Sequence, residues 1–173
     1  MDSLPLLIAC LSLGIAALSL GWQVAGYLLE GRRVRVTLLH GAHGPNGAAV
    51  GPVQRSGLPN NLRGLRADGF TEMEVVGITV TNIGRAPVTV ERYTVHAKHG
   101  GVAFTPIGDH MGPAIPCRIP PGDSATWYAD LQSAQALLAA RNAVNAHRSN
   151  SVYMSVTLGT GDRKATKREI QLR

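Results

Sequence analysis

The six histidines are the residues with the most evident chemistry. His40 and His43 stand three apart, and so do His96 and His99. On a helix that spacing puts two imidazoles on one face, as a metal site requires. Here both pairs fall in alternating or glycine-rich text, where a three-residue step turns the side chains to opposite faces. No Asp, Glu or Cys stands close in sequence to complete a ligand set, so surface or loop histidines are expected. Cys10 and Cys117 lie in unrelated segments, without CxxC spacing, so neither a disulfide framework nor a zinc motif is present. Ser149 and Ser151 sit near His147, yet no G-x-S-x-G elbow accompanies them, and they fall where a helical pattern gives way to a strand. "GTGDRK" lacks P-loop spacing and leads into a strand. The reading is non-enzymatic, with no catalytic residue, no cofactor and no metal ligand.

Charge is the remaining signal. The 173 residues carry a net charge of +6. Without Asp2 and Glu30, residues 31–173 hold 17 basic and 9 acidic side chains, a net +8. Arg163, Lys164, Lys167, Arg168 and Arg173 crowd the C-terminus, while Arg32, Arg33 and Arg35 follow a long apolar run. If the first and last strands are neighbours, these groups form one anionic-surface patch, suited to anionic lipid or to a protein partner. Nucleic acid is not the expected partner, because single-strand binders interleave exposed aromatics with the cations and the C-terminal hairpin has none.

The elements that must position these groups begin with "LPLLIACLSLGIAALSLGWQVAGYLL", 26 uncharged residues from Leu4 to Leu29. At about 1.5 Å per residue it reaches roughly 39 Å, more than a hydrocarbon core of about 30 Å. Pro5 falls in the first turn, where its missing N–H costs nothing, and Trp22 and Tyr27 fall where aromatic rings favour the headgroup zone. A transmembrane helix with flanks over residues 1–31 is expected, embedded in a lipid bilayer. Two alternatives stand beside it: a cleaved signal peptide ending near "SLG", and a lipobox at Leu7–Cys10. Against the first, Asp2 replaces a basic leader; against the second, the apolar stretch follows the cysteine. Arginines resist translocation, so Trp22, Tyr27, Arg32, Arg33 and Arg35 read as the anchor of a single-pass cell-membrane protein, N-terminus outside and C-terminal domain cytoplasmic. Arg33 and Arg35 also alternate with Val34, Val36 and Leu38, so they double as the outer face of a strand. Gly14, Ala17 and Gly21 offer small residues for helix packing, hence a homo-oligomer through this helix.

Beyond Arg32 the period becomes two. Val76, Ile78 and Val80 alternate with Thr79 and Thr81; Ala125, Trp127 and Ala129 with Ser124, Thr126 and Tyr128; Val152, Met154, Val156 and Leu158 with Ser151, Tyr153, Ser155 and Thr157. A last strand runs from about Ala165 to Leu172. Asn82–Arg85 reads as a turn with Gly84 at positive φ, and Pro120–Asp123 and Gly159–Arg163 as further turns. The phase slips between Pro87 and Lys98, which implies a bulge or a strand that changes sheet. Leu131–Ala146 is rich in Ala and free of Gly and Pro, so it reads as an inserted helix capped by Asp130 with Leu131, Ala134 and Leu138 inward. Residues 41–69 read as a Gly/Pro-rich surface loop, with "HGPNGA" as an alternative hairpin tip. The expected fold is mainly β: an N-terminal transmembrane helix, then an immunoglobulin-like antiparallel β-sandwich of roughly seven strands over residues 32–173.

"ITVTNIGRAPVTV" (Ile78–Val90) and "PPGDSATWYADL" resemble small single-pass membrane proteins of bacteria and their phages that carry an immunoglobulin-like domain. The resemblance implies that fold and no active-site residue. The function expected is a membrane-anchored interaction module that binds a protein partner at the membrane face. The alternative is an exported envelope or adhesion-type protein with its domain outside the cell.

Overall fold

In the computed structural model, residues 3–29, 33–45, 47–99, 101–107, 111–144 and 148–172 are described. Helix α1 (Ser3–Leu29) covers the uncharged run. Its segment Leu4–Gly26 has a mean hydropathy of 2.2, is long and apolar enough to cross a membrane, and is not buried against the rest of the protein. Ser12 does not break it, because its hydroxyl donates to the Ile8 carbonyl one turn back at 2.7 Å.

Among the described residues ten strands form two antiparallel sheets. The first sheet contains β1 (Val34–Gly44), β2 (Gly47–Pro52), β3 (Met73–Asn82) and β7 (Ser124–Asp130), in the order β2-β1-β3-β7. The second is built on β4 (Val88–Ala97) and β8 (Ser151–Leu158), which pair with each other. Short strands finish its edges. β5 (Ala103–Phe104) and β6 (Cys117–Ile119) pair with β4; β9 (Arg163–Ala165) and β10 (Ile170–Gln171) pair with β8.

The period-two alternation sets which side chains meet. Ile78 and Val80 of β3, Tyr93 and Val95 of β4, Trp127 of β7, and Met154 and Val156 of β8 are buried in one core. The rings of Tyr93 and Trp127 stack with centroids 6.3 Å apart, bridging the two sheets. Each polar tip finds a carbonyl: Tyr93 donates to Tyr128 O at 3.1 Å and Trp127 Nε1 to Pro113 O at 2.9 Å. On the other face, Thr79 and Thr126 hydroxyls meet at 2.7 Å across strands. The phase slip after Pro87 is a bulge within one strand, where the β4–β8 register shifts between Val90 and Arg92.

Helix α3 (Leu131–Val144) follows β7 directly and buries Leu131, Ala134, Leu137, Leu138 and Arg141. Asp130 Oδ1 accepts from the Gln132 N–H at 2.9 Å, the expected cap. The expected end of this helix, at Ala146, lies outside the described residues.

Three expectations change. Residues 41–69 are not one loop: β1 continues to Gly44 and pairs with β2 from Leu39↔Pro52 to Gly44↔Gly47, which makes "HGPNGA" the hairpin tip, and a short helix, α2 (Arg63–Ala67), follows. Glycine content hid this hairpin, yet the pairing needs it: a Cβ on Gly41 would lie 2.0 Å from Ala49 O. Gly84 is not among the positive-φ glycines. That turn is held instead by the buried Asn82 side chain, which accepts from Gly84 N at 3.0 Å and donates to Ala86 O at 2.8 Å and Ile119 O at 3.0 Å. The final strand is two strands, β9 and β10, because the chain leaves the ladder at Thr166, whose N–H donates to Met154 O and whose hydroxyl accepts from Met154 N.

Candidate functional site

Two histidines expected at the surface are buried: His40 at 1% exposure and His96 at 7%. The sheet brings His40 to a carboxylate from a distant strand, with Nε2 2.9 Å from Glu74 Oε1. The Asn60 N–H donates to Nδ1 at 3.0 Å, so Nδ1 is bare and the ring proton sits on Nε2, pointing at Glu74. Burial lowers the His40 pKa, against the raising effect of Glu74. Glu74 also accepts from Arg66 Nη2 at 3.0 Å. This cluster ties residues 53–72 down onto the first sheet. His43, on the opposite face, meets Glu72 at 3.1 Å. Among the described residues no three His, Cys, Asp or Glu side chains converge as metal ligands would.

His96 lies on the outer face of the second sheet. Its Nε2 is 2.9 Å from Ser155 Oγ, its ring stacks on Tyr153 at 4.9 Å, and Arg163 Nη2 lies 2.5 Å from Nε2 and 3.0 Å from Nδ1. Burial, and then the Arg163 charge, lower its pKa to about 4. Arg163 Nε donates to Ser155 Oγ at 3.0 Å, so this arginine closes a polar cluster over the sheet. Neither cluster was legible in sequence, because its members stand 34 residues apart (His40, Glu74) or 67 apart (His96, Arg163).

The basic residues divide along the strands. In β9, Arg163 pairs opposite outward-facing Thr157, while Lys164 pairs opposite core-facing Val156 and so turns to the other side. Lys164 thereby faces the first sheet. Together with Arg35, Lys167 and Arg168 it lines a groove of about 650 Å³ whose floor includes Val34, Val36, Leu38 and Ile83. β1 and β9 are thus in contact, and four of the basic residues singled out in the sequence line one groove. Arg168 is tethered there by a hydrogen bond from Nη1 to Val53 O. Among the described residues no acidic side chain lines the groove, and none of its four cations has a carboxylate partner. Arg33 is exposed just before β1, and its carbonyl accepts from Ile83 N at 2.9 Å. Trp22 is 81% exposed on α1. Arg32, Arg173 and the side chain of Tyr27 lie outside the described residues.

No protein-family model matches the chain, and no curated protein matches it.

Proposed function

We propose that the chain is a membrane-anchored, non-enzymatic interaction module: an immunoglobulin-like β-sandwich held at the cytoplasmic face by a single transmembrane helix, where it binds a protein partner. The observation that carries this is the contrast between the two parts. The two-sheet body fills its own core with Trp127, Tyr93 and their neighbours, whereas α1 leaves Leu6, Leu11, Leu13, Leu18 and Leu20 at 63–76% exposure. An apolar stripe on every side of a helix needs an apolar medium, and a bilayer supplies one. Orientation rests on Arg33 and Arg35, which follow the helix closely. From Leu29 to Val34 is five residues, at most about 18 Å of chain, so the basic groove beside Val34 stays close to the membrane face.

The test is membrane extraction together with topology. The protein should stay in the membrane pellet after alkaline carbonate, and a reporter fused after Arg173 should be active only in the cytoplasm. A periplasmic or extracellular signal would replace this reading with the exported envelope or adhesion-type protein. Release by carbonate would remove the anchor altogether.

A further inference from the structure

We propose that the groove between β1 and β9 takes an extended acidic segment of a protein partner, added as a further strand along Val34–Val36; this names the partner for the interaction module described above. Backbone direction supplies the first argument. Arg33 O accepts from Ile83 N and His43 O from Glu72 N, so odd-numbered residues of β1 turn their backbone groups towards β3. Even-numbered residues turn the other way, as Leu38 O does in accepting from Val53 N at 3.0 Å. On that side β2 covers only Leu39 to Gly44 and ends at Pro52. The chain then turns away, with Gly57 N bonded to Gln54 O. Val34 and Val36 are left with an open edge, and among the described residues no backbone group pairs with them there. An incoming strand would occupy the line that β2 vacates.

The flanks define what that strand must be. Val34, Val36 and Ile83 offer an apolar surface, Lys164 faces the first sheet from across the groove, and Arg35, Lys167 and Arg168 complete the lining with cations that have no carboxylate partner among the described residues. Alternate side chains of a strand point to one face, so a segment with acidic residues at every second position can turn them towards Lys164 across the groove, while β-branched residues between them favour the extended conformation. A lipid headgroup would answer the cations but would leave the row of N–H and C=O groups at Val34 and Val36 unpaired. A second copy of the chain is a poor occupant, because its alternating acidic pair, Glu72 and Glu74, already holds His43, His40 and Arg66.

The experiment uses the full chain in phosphatidylcholine nanodiscs and the fluorescein-labelled hexapeptide EVEVEV, read by anisotropy. Saturable binding is expected, weakened about tenfold or more by the double variant Lys164→Glu with Lys167→Glu. The peptide EVEPEV keeps the charge but loses an N–H, and should also bind about tenfold more weakly. Amide exchange at Val36 should slow when EVEVEV is bound. Equal binding of the two peptides, or unchanged exchange at Val36, would reduce the groove to a general charge attraction and overturn the proposal. So would failure of EVEVEV to bind while monomeric short-chain phosphatidylglycerol shields Lys164 and Lys167 from acetylation; that outcome makes it a lipid site. Location is read separately: an exported domain that still binds EVEVEV overturns only the cytoplasmic reading, and a cytoplasmic domain that does not bind overturns only the groove.

Discussion

Acid should destabilise the two-sheet body through His96, and the size of the effect follows from its surroundings. The ring is 7% exposed, beneath Tyr153 and beside the Arg163 guanidinium; burial first, and then the Arg163 charge, lower its pKa from 6.5 to about 4. The unfolded chain therefore takes up a proton near pH 6.5 that the folded chain refuses until about pH 4. Above pH 6.5 both states are neutral and the residue contributes no pH dependence. As pH falls through the window, stability is lost by about 1.4 kcal/mol per pH unit, on the order of 3 kcal/mol by pH 4. His40, also lowered by burial, adds loss of the same sign. The comparison is wild type against His96→Gln, both in a Trp22→Phe background so that the fluorescence of buried Trp127 reports unfolding. Urea titrations at pH 7, 6, 5 and 4 should show the wild type losing about 2–3 kcal/mol more than the variant across the window. The variant's lower stability at pH 7 does not enter, because the slope is the readout. Parallel pH profiles, differing by less than about 0.5 kcal/mol over the window, would refute the placement of a neutral imidazole under Arg163.

Three further outcomes follow from the packing. Trp127→Ala removes the largest fully buried side chain and its bond to Pro113 O, and should cost about 3–5 kcal/mol in the same titration. Gly41→Ala forces a Cβ to within 2.0 Å of Ala49 O and 2.6 Å of Val50 Cα; the β1–β2 hairpin must shift, at about 1–3 kcal/mol, with faster amide exchange in Gly47–Pro52. Asn82→Ala leaves the Ile119 and Ala86 carbonyls without their side-chain donor, and should cost about 2–3 kcal/mol, whereas Gly84→Ala should be mild because that position is not held at positive φ.

The candidate site was half legible. The clustering of Arg163, Lys164, Lys167 and Arg168 is visible in the one-letter text, as is the position of Arg35 in an alternating strand. The text does not reveal that Arg163 turns away to Ser155 and His96 while Lys164 turns to the first sheet, because that depends on which residue of β8 each one faces. The open edge at Val34 and Val36 was invisible for a related reason: it exists because β2 stops at Pro52, and β2 itself read as loop.

Local composition by itself determined the uncharged helix, the alternating strands β3, β7 and β8, the phase slip in β4 and the Asp130 cap, because each depends on neighbours within a few residues; that the slip is a bulge and not a change of sheet was decided by the pairing with β8. Tertiary structure alone decided what crosses long sequence separations. It buried His40 against Glu74 and His96 against Arg163, used Gly41 to let β2 approach, and assigned the Asn82 turn to a side chain rather than to Gly84. It also set the four groove cations beside the edge of β1 that, among the described residues, lies open at Val34 and Val36. The physical reason is that strand pairing joins residues whose separation along the chain carries no local signal, so partners and edges are properties of the folded sheets.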